Sequence, residues 1–338
     1  MASVTITDVA RRAGVSMKTV SRVMNAEPHV RDEVRQTVLR VARELHYRPK
    51  VSARSLAGAR SYQLGFLLHQ VSPYAIYAQL GALRACRAFG YHLVVESIDL
   101  AALDLTADME ALVNGLSVDG LILLPPVCDN QIVLKTLDAA AIPYVRISPA
   151  TVHERSPRID PGDAAAACAM TEHLLGLGHR RIALIQGPRN HAASARRLEG
   201  FAQALTAQGL RPAVELVQEG LFTFESGRDA VASLLALKHP PTAIFASNDL
   251  MAFGVMAKAH ELGLRIPGDL SVAGFDDIAT ASMVWPPLTT MRQPMADMAA
   301  AAAESLIATA GKGAAEPLEG GRSFSCELVI RGSTAPPP

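Results

Sequence analysis

From Leu64 to Phe275 the chain repeats one pattern, a short apolar run rich in β-formers followed by an Ala-rich amphipathic stretch. The runs are LGFLL at 64–68, YHLVV at 91–95, GLILL at 120–124, IPYVRI at 142–147, RIALI at 181–185, VELVQ at 214–218, TAIFA at 242–246 and LSVAGF at 270–275. Strand-length runs separated by helical stretches mark repeated βαβ units and parallel sheets. One sheet of eight or more strands would satisfy the pattern. The irregular segment SPATVHERSPRIDPGD near the midpoint fits better with a boundary between two doubly wound lobes.

Residues 4–48 carry a different signal: apolar residues recur every three to four positions and no β-rich run appears. The 338 residues suit two or three domains. The expected fold is therefore α/β, with an all-α helix-turn-helix headpiece over 1–49, a hinge and linker over 50–61, and two doubly wound parallel-sheet lobes over 62–338. RPKVSARSLAGARSYQ, basic and containing Gly58, reads as a linker with one short helix.

The formal net charge is zero, yet residues 1–60 hold twelve Lys or Arg against five Asp or Glu. A basic terminal module on a mildly acidic body is what phosphate neutralisation by one part of a chain looks like. A solvated basic helical face is the other reading of charge alone. The opening MASVTITDVARRAG has no apolar h-region, and runs such as Leu121 to Val127 are too short to span a bilayer, so a cytoplasmic protein without membrane contact is expected. Cys86, Cys128, Cys168 and Cys326 lie tens of residues apart and read as reduced thiols, with no metal or cofactor implied.

In the headpiece, Val9, Ala10 and Ala13 share one helical face, and Val20, Val23 and Met24 do so after the break AGVS. Gly14 suits the positive φ that ends the first helix, Val15 plugs the crossing, and Ser16 can cap the second. Such a pair is ordinarily core packing. The outward Ser16, Met17, Lys18, Ser21 and Arg22 add donors and an adaptable thioether where a recognition helix meets base edges.

The stretch from Val4 to Asn25, PHVRDEVRQTVLRVARELHYRP and RSLAG resemble the lactose-repressor and galactose-repressor (LacI/GalR) family. So do HLLGLGHRRIALIQGP, RLEGF, ASNDLMAFGV, SVAGFDD and PPLTTMRQP, in the family's order. The resemblance covers about 330 residues and is strongest to members of sugar-utilisation type. It implies a periplasmic-binding-protein-like body, a double-stranded operator DNA partner, and a small-molecule effector, expected to be a sugar. Met17 and Lys18 then occupy operator-reading positions and Arg22 a third, suited to guanine. Thr5, Ser16, Thr19, Ser21 and Asn25 become candidates for phosphate contacts. Val51 to Gly58 match the hinge helix, with Leu56 as the minor-groove wedge. Lys50 stands where the family commonly has Asn and adds a phosphate-seeking charge. Tetrameric members carry a leucine heptad tail, whereas this sequence ends in RGSTAPPP, so a homodimer is expected.

Ligands of such folds bind in the cleft at the carboxyl ends of strands. Ser148 follows one strand run, Asn248 and Asp249 another, and Asp276 and Asp277 a third. An Asp after a strand is as readily a helix N-cap, and that choice is open for Asp249 and Asp277. The resemblance favours ligand contact for Asn248 and Asp276, whose amide and carboxylate suit neighbouring hydroxyls. It also matches Arg197 to the family's effector-contacting arginine and Phe222 to an aromatic that packs on the ligand. Arg146, inside an apolar strand, faces either the ligand or a partner acid. Tyr74 and Tyr77 close over the ligand or pack between the lobes, and Asp160 is a further candidate.

Two other classes share the fold. A solute-binding protein would need a signal peptide and no headpiece, the reverse of what is seen. An α/β enzyme would need a motif such as G-x-S-x-G, a P-loop or G-x-G-x-x-G after a strand, and none is present. Within the family the effector's sign stays open, since the purine-repressor branch uses a corepressor.

Overall fold

The computed structural model describes residues 4–24, 30–47, 60–151, 153, 156–310 and 321–338. The chain divides into two compact units, Met1–Gln63 with Ser117–Asp119, and Leu64–Leu116 with Gly120–Pro338.

Among the described residues of the first unit there are three helices: α1 (Ile6–Ala13), α2 (Met17–Met24) and α3 (Asp32–Glu44). The Thr5 amide and hydroxyl both donate to the Asp8 carboxylate, at 2.9 and 2.7 Å, which fixes the start of α1. Gly14, at φ +67°, ends it. The Ser16 hydroxyl accepts from the Thr19 amide at 3.1 Å and caps α2. The turn thus holds two short helices across one small core of Val9, Ala10, Val20, Val23, Val38, Val41 and Ala42. Helices of eight residues are marginal alone in water, so this shared core is what keeps α1 and α2 folded. Where the chain leaves the unit, the Asp119 carboxylate accepts from the Ser61 and Tyr62 amides at 2.6 and 3.0 Å.

The second unit contains two lobes. The N-terminal lobe is built from β1 (Gln63–Leu68), α4 (Pro73–Ala88), β2 (His92–Ser97), α5 (Leu105–Gly115), β3 (Leu121–Leu123), α6 (Gln131–Ala139), β4 (Tyr144–Ile147) and β5 (Arg158–Asp160). The C-terminal lobe follows with α7 (Asp163–Gly176), β6 (Ile182–Gln186), α8 (Ala192–Ala207), β7 (Val217–Glu219), α9 (Phe224–Leu235), β8 (Ala243–Ala246), α10 (Asp249–Glu261), β9 (Ser271–Asp276) and β10 (Thr289–Arg292). The chain then returns to the first lobe for α11 (Met295–Thr309) and β11 (Arg322–Ser323), and ends in the second with β12 (Glu327–Val329). The sheets run β11-β5-β4-β3-β1-β2 and β12-β10-β9-β8-β6-β7. Neighbours pair in parallel wherever the direction is given, except β12 on β10.

This is the doubly wound pair of lobes expected from the repeated apolar runs. Two details differ. VELVQ begins as a 3₁₀ turn over Val214–Leu216 before β7 pairs. The midpoint segment, read as irregular, holds β5, three residues between Pro157 and Pro161. Helix α4 packs on α11 at Gly81, where a Cβ would lie 1.8 Å from the Ala296 carbonyl oxygen; only glycine permits that approach. The four cysteines are free, and among the described residues no helix is long and apolar enough to cross a membrane.

Candidate functional site

On the headpiece, α2 turns Val20 and Val23 into the core, which leaves Met17, Lys18 and Arg22 on the outside. Met17 is 53% exposed and its sulfur accepts from the Thr7 hydroxyl at 3.3 Å. Ser16 is exposed, and its hydroxyl lies 2.9 Å from that of Thr19. Thr19 and Ser21 are half-buried, and Thr5 serves the α1 cap. Asn25, Lys50, Leu56 and the Val51 to Gly58 hinge lie outside the described residues.

In the second unit one cavity lies at the carboxyl ends of strands from both lobes. Its empty space is about 700 Å³, open mouth included, the size of a small-molecule site. Ser72, Pro73, Tyr74, Pro125 and Ser148 line it from the N-terminal lobe, and His191, Ala193, Arg197, Phe222, Asn248, Leu250, Asp276, Ile278 and Gln293 from the other. Topology delivers four of these wall residues: Ser148 comes after β4, Phe222 after β7, Asn248 after β8, and Asp276 closes β9. Ser148, Phe222 and Asp276 hold φ of +52°, +60° and +123°. Such backbone is disfavoured for residues with a Cβ and is retained where the surroundings enforce it, often at ligand sites.

Arg197, 4% exposed, anchors the wall. Its Nε and one terminal nitrogen each lie 2.8 Å from Asp163 Oδ1, and its other terminal nitrogen donates to the Ser247 carbonyl. The guanidinium stacks 3.6 Å from the Phe275 ring centroid. Asp276 accepts from Gln293 Nε2 at 2.6 Å. Burial lifts the Asp276 carboxyl to about 6, against the pull of Arg197 and of the Gln293 hydrogen bond. Burial, then the Arg197 charge, lower His191 to about 4. Burial also raises Tyr74, which is hydrogen-bonded to the Ser148 side chain.

Phe222 stands in the space above Gly187, where a Cβ would come 2.0 Å from the ring. His191 meets it edge-on with centroids 5.3 Å apart. Asn248 is both wall and cap: Oδ1 accepts from the Met251 amide at 2.9 Å, starting α10, and Nδ2 donates to the Phe222 carbonyl at 3.0 Å. One N–H and one lone pair are left for a ligand.

Arg146 is corrected. It is fully buried and absent from the cavity lining. Its guanidinium donates to the Thr151 carbonyl at 2.8 Å and faces Cys128 and Asp129, so it pairs with an acid rather than facing the ligand. Asp129 in turn accepts from the Ala150 amide. The pair thus holds the loop after Ser148. Tyr77 also lies outside the lining; its hydroxyl accepts from the Ala279 amide at 3.0 Å, joining the lobes. Asp249 accepts from Thr290 and the Ile278 amide, Asp277 pairs with Arg292 and Arg331, and Asp160 accepts from the Gly162 amide. Sequence reasoning did not find His191 or Gln293. Gln293 sits inside the quoted PPLTTMRQP block, and a lone His in a loop gives no signal.

A helix-turn-helix unit with an outward polar face, in one chain with a two-lobed body holding a small-molecule cavity, defines a ligand-responsive DNA-binding regulator. The description "Bacterial regulatory proteins, lacI family" matches residues 5–50, and "Periplasmic binding protein-like domain" matches residues 171–334. The ribose operon repressor of Haemophilus influenzae is 32% identical over 305 residues, 90% of this chain and 91% of that protein. The transcriptional regulator CelR in complex with cellobiose superimposes with a TM-score of 0.75 at 30% identity, covering 98% and 99% of the two chains. The lac repressor dimer bound to operator and the anti-inducer ONPF gives 0.76 at 29%, covering 99% and 100%. The chain belongs to the lacI family of bacterial regulatory proteins. That family is made up of DNA-binding transcription regulators.

Proposed function

We propose that this protein represses carbohydrate-utilisation genes from a pseudo-palindromic operator and releases it when a small sugar fills the cleft. The observation that carries the reading is the cavity wall: an ionisable carboxylate at Asp276, amides at Asn248 and Gln293, and the Phe222 ring. Hydroxyls take the polar groups, and the C–H face of a sugar takes the ring. The relatives named for a ribose operon and for a cellobiose complex support the same class. Tyr74, Ser148 and Arg197 complete the contacts.

Met17, Lys18 and Arg22 read base edges, while Thr5, Ser16, Thr19, Ser21, Asn25 and Lys50 position the headpiece on phosphates. Residues 1–49 form the headpiece, 50–61 the hinge and 62–338 the sensor. Leu56 in the hinge wedges into the minor groove. Two copies are needed for two half-sites about one helical turn apart. Ile76 and Leu80, one turn apart on α4, and Met283 and the 90% exposed Trp285 offer apolar surface for that pairing. The protein acts in the cytoplasm and has no catalytic role, since the cleft carboxylates serve as hydroxyl acceptors.

Operator and effector then oppose each other through the arrangement of the lobes, and a coupling of about 1–3 kcal/mol changes operator affinity about 5–150-fold. Fluorescence anisotropy of the full chain on DNA upstream of its own gene, with and without neutral sugars, tests the reading. A fragment starting at residue 61 that binds the same DNA specifically would contradict it.

A further inference from the structure

We infer that the effector is an uncharged, unphosphorylated sugar, and that the cleft rejects sugar phosphates and sugar acids by charge. This rests on the sugar-effector reading above and narrows it. Arg197 and Asp276 stand in the wall, and the buried Asp163 pairs with Arg197 outside the lining. The charge of Arg197 is already matched, because two of its nitrogens lie 2.8 Å from Asp163 Oδ1, a third donates to the Ser247 carbonyl, and its face rests on Phe275. Asp276, 8% exposed, adds a second carboxylate, which leaves the set with one negative charge in excess. Asp249 feels that excess: burial and then the Asp276 charge push its carboxyl well above the usual range.

Among the described residues, no lysine and no arginine other than Arg197 lines the cavity. Arg196, next along α8, turns a terminal nitrogen to the Pro149 carbonyl and is not part of the wall. His191 is neutral at physiological pH because burial and Arg197 lower it to about 4. A phosphate monoester would bring a charge of about −1.5 to −2 against a buried wall whose described residues include no unmatched cation. Burying an unpaired charge is far less favourable than burying a hydroxyl that finds a partner.

Neutral hydroxyls meet no such penalty. Asp276 accepts them, and the free N–H groups of Arg197 and Asn248 donate. Pro73, Pro125, Leu250 and Ile278, with Phe222, supply apolar wall for C–H groups.

The test uses the full chain and matched pairs in calorimetry and thermal shift: ribose against ribose 5-phosphate, glucose against glucose 6-phosphate, glucose against glucuronate, and inorganic phosphate alone. In any pair that binds, the neutral member should bind at least about tenfold more tightly, and inorganic phosphate should give no shift. Asp276→Asn, which removes the excess charge, should narrow the gap within such a pair. An anionic member that binds more tightly than its neutral partner overturns the charge argument and leaves the sugar reading standing. No binding by any member overturns the sugar reading itself.

Discussion

The Asp276 carboxylate takes a 2.6 Å hydrogen bond from the Gln293 side-chain amide, tying the end of β9 to the residue that follows β10 at the cavity wall. That bond and Arg197 both favour the ionised acid, yet burial outweighs them and leaves the carboxyl at about 6. Because this lies above the 3.8 of an ordinary aspartate, ionisation weakens the fold. The penalty is absent below about pH 4 and fully present above about pH 6. Asp276→Asn should therefore stabilise the unliganded protein at neutral pH, by roughly 1–3 kcal/mol, while the stabilisation by sugar becomes smaller without vanishing, because the Asn oxygen still accepts from hydroxyls. Thermal melts with and without sugar check both halves, and a less stable unliganded variant would contradict the assignment.

Effector affinity should fall as the pH drops. In the proposed site hydroxyls donate to the ionised Asp276, so ligand binding would first have to remove a proton once the pH is below about 6. From about pH 7 to about pH 5 the loss should be fivefold to tenfold, roughly the ionised fraction of a group titrating near 6. Arg197 and Gln293 do not titrate in this window, and His191, at about 4, stays neutral through most of it. Calorimetry across that range should show the drop in the wild type and a flat profile in Asp276→Asn.

Arg197 differs from Asp276 because its buried pair with Asp163 makes it part of the fold as well as of the proposed effector site. Arg197→Met leaves Asp163 buried and unpaired, and removing one partner of a buried pair typically costs about 3–5 kcal/mol. Urea unfolding should show a loss of that order, and Asp163→Asn should also destabilise. A loss below about 1 kcal/mol in Arg197→Met would mean that the pair is not closed in solution.

Gly187→Ala addresses the aromatic wall. The new Cβ would sit 2.0 Å from the Phe222 ring, so the ring must move. Effector affinity should fall about tenfold or more, on the scale of losing a packed aromatic contact, while operator affinity without effector stays as in the wild type. An unchanged effector affinity would show that Phe222 does not touch the ligand.

Much of this site was legible because parallel strands deliver cleft residues at their carboxyl ends. Asp276 after SVAGF, Asn248 after TAIFAS and Ser148 after IPYVRI could be found by counting strands. Arg146 could not be placed that way: β4 is buried on both faces, so no alternation tells which side its charge faces, and Asp129 is distant in sequence. Asn248 combines the two roles that had been set against each other, helix cap and cleft wall. β5 went unseen because three residues between prolines carry no periodicity. The return of the chain through α11 and β11 went unseen because crossings between lobes leave no local mark.

The central claim is that sugar in the Asp276 cleft opposes operator binding, and one titration addresses it most directly. Labelled operator is titrated with full-length wild type and with Asp276→Ala, each at zero and at saturating neutral sugar. The wild type should lose about 5–150-fold in operator affinity when sugar is added. Asp276→Ala should bind operator as tightly as unliganded wild type and ignore the sugar. A variant that still responds fully, or a wild type whose operator binding tightens with sugar, would contradict the account.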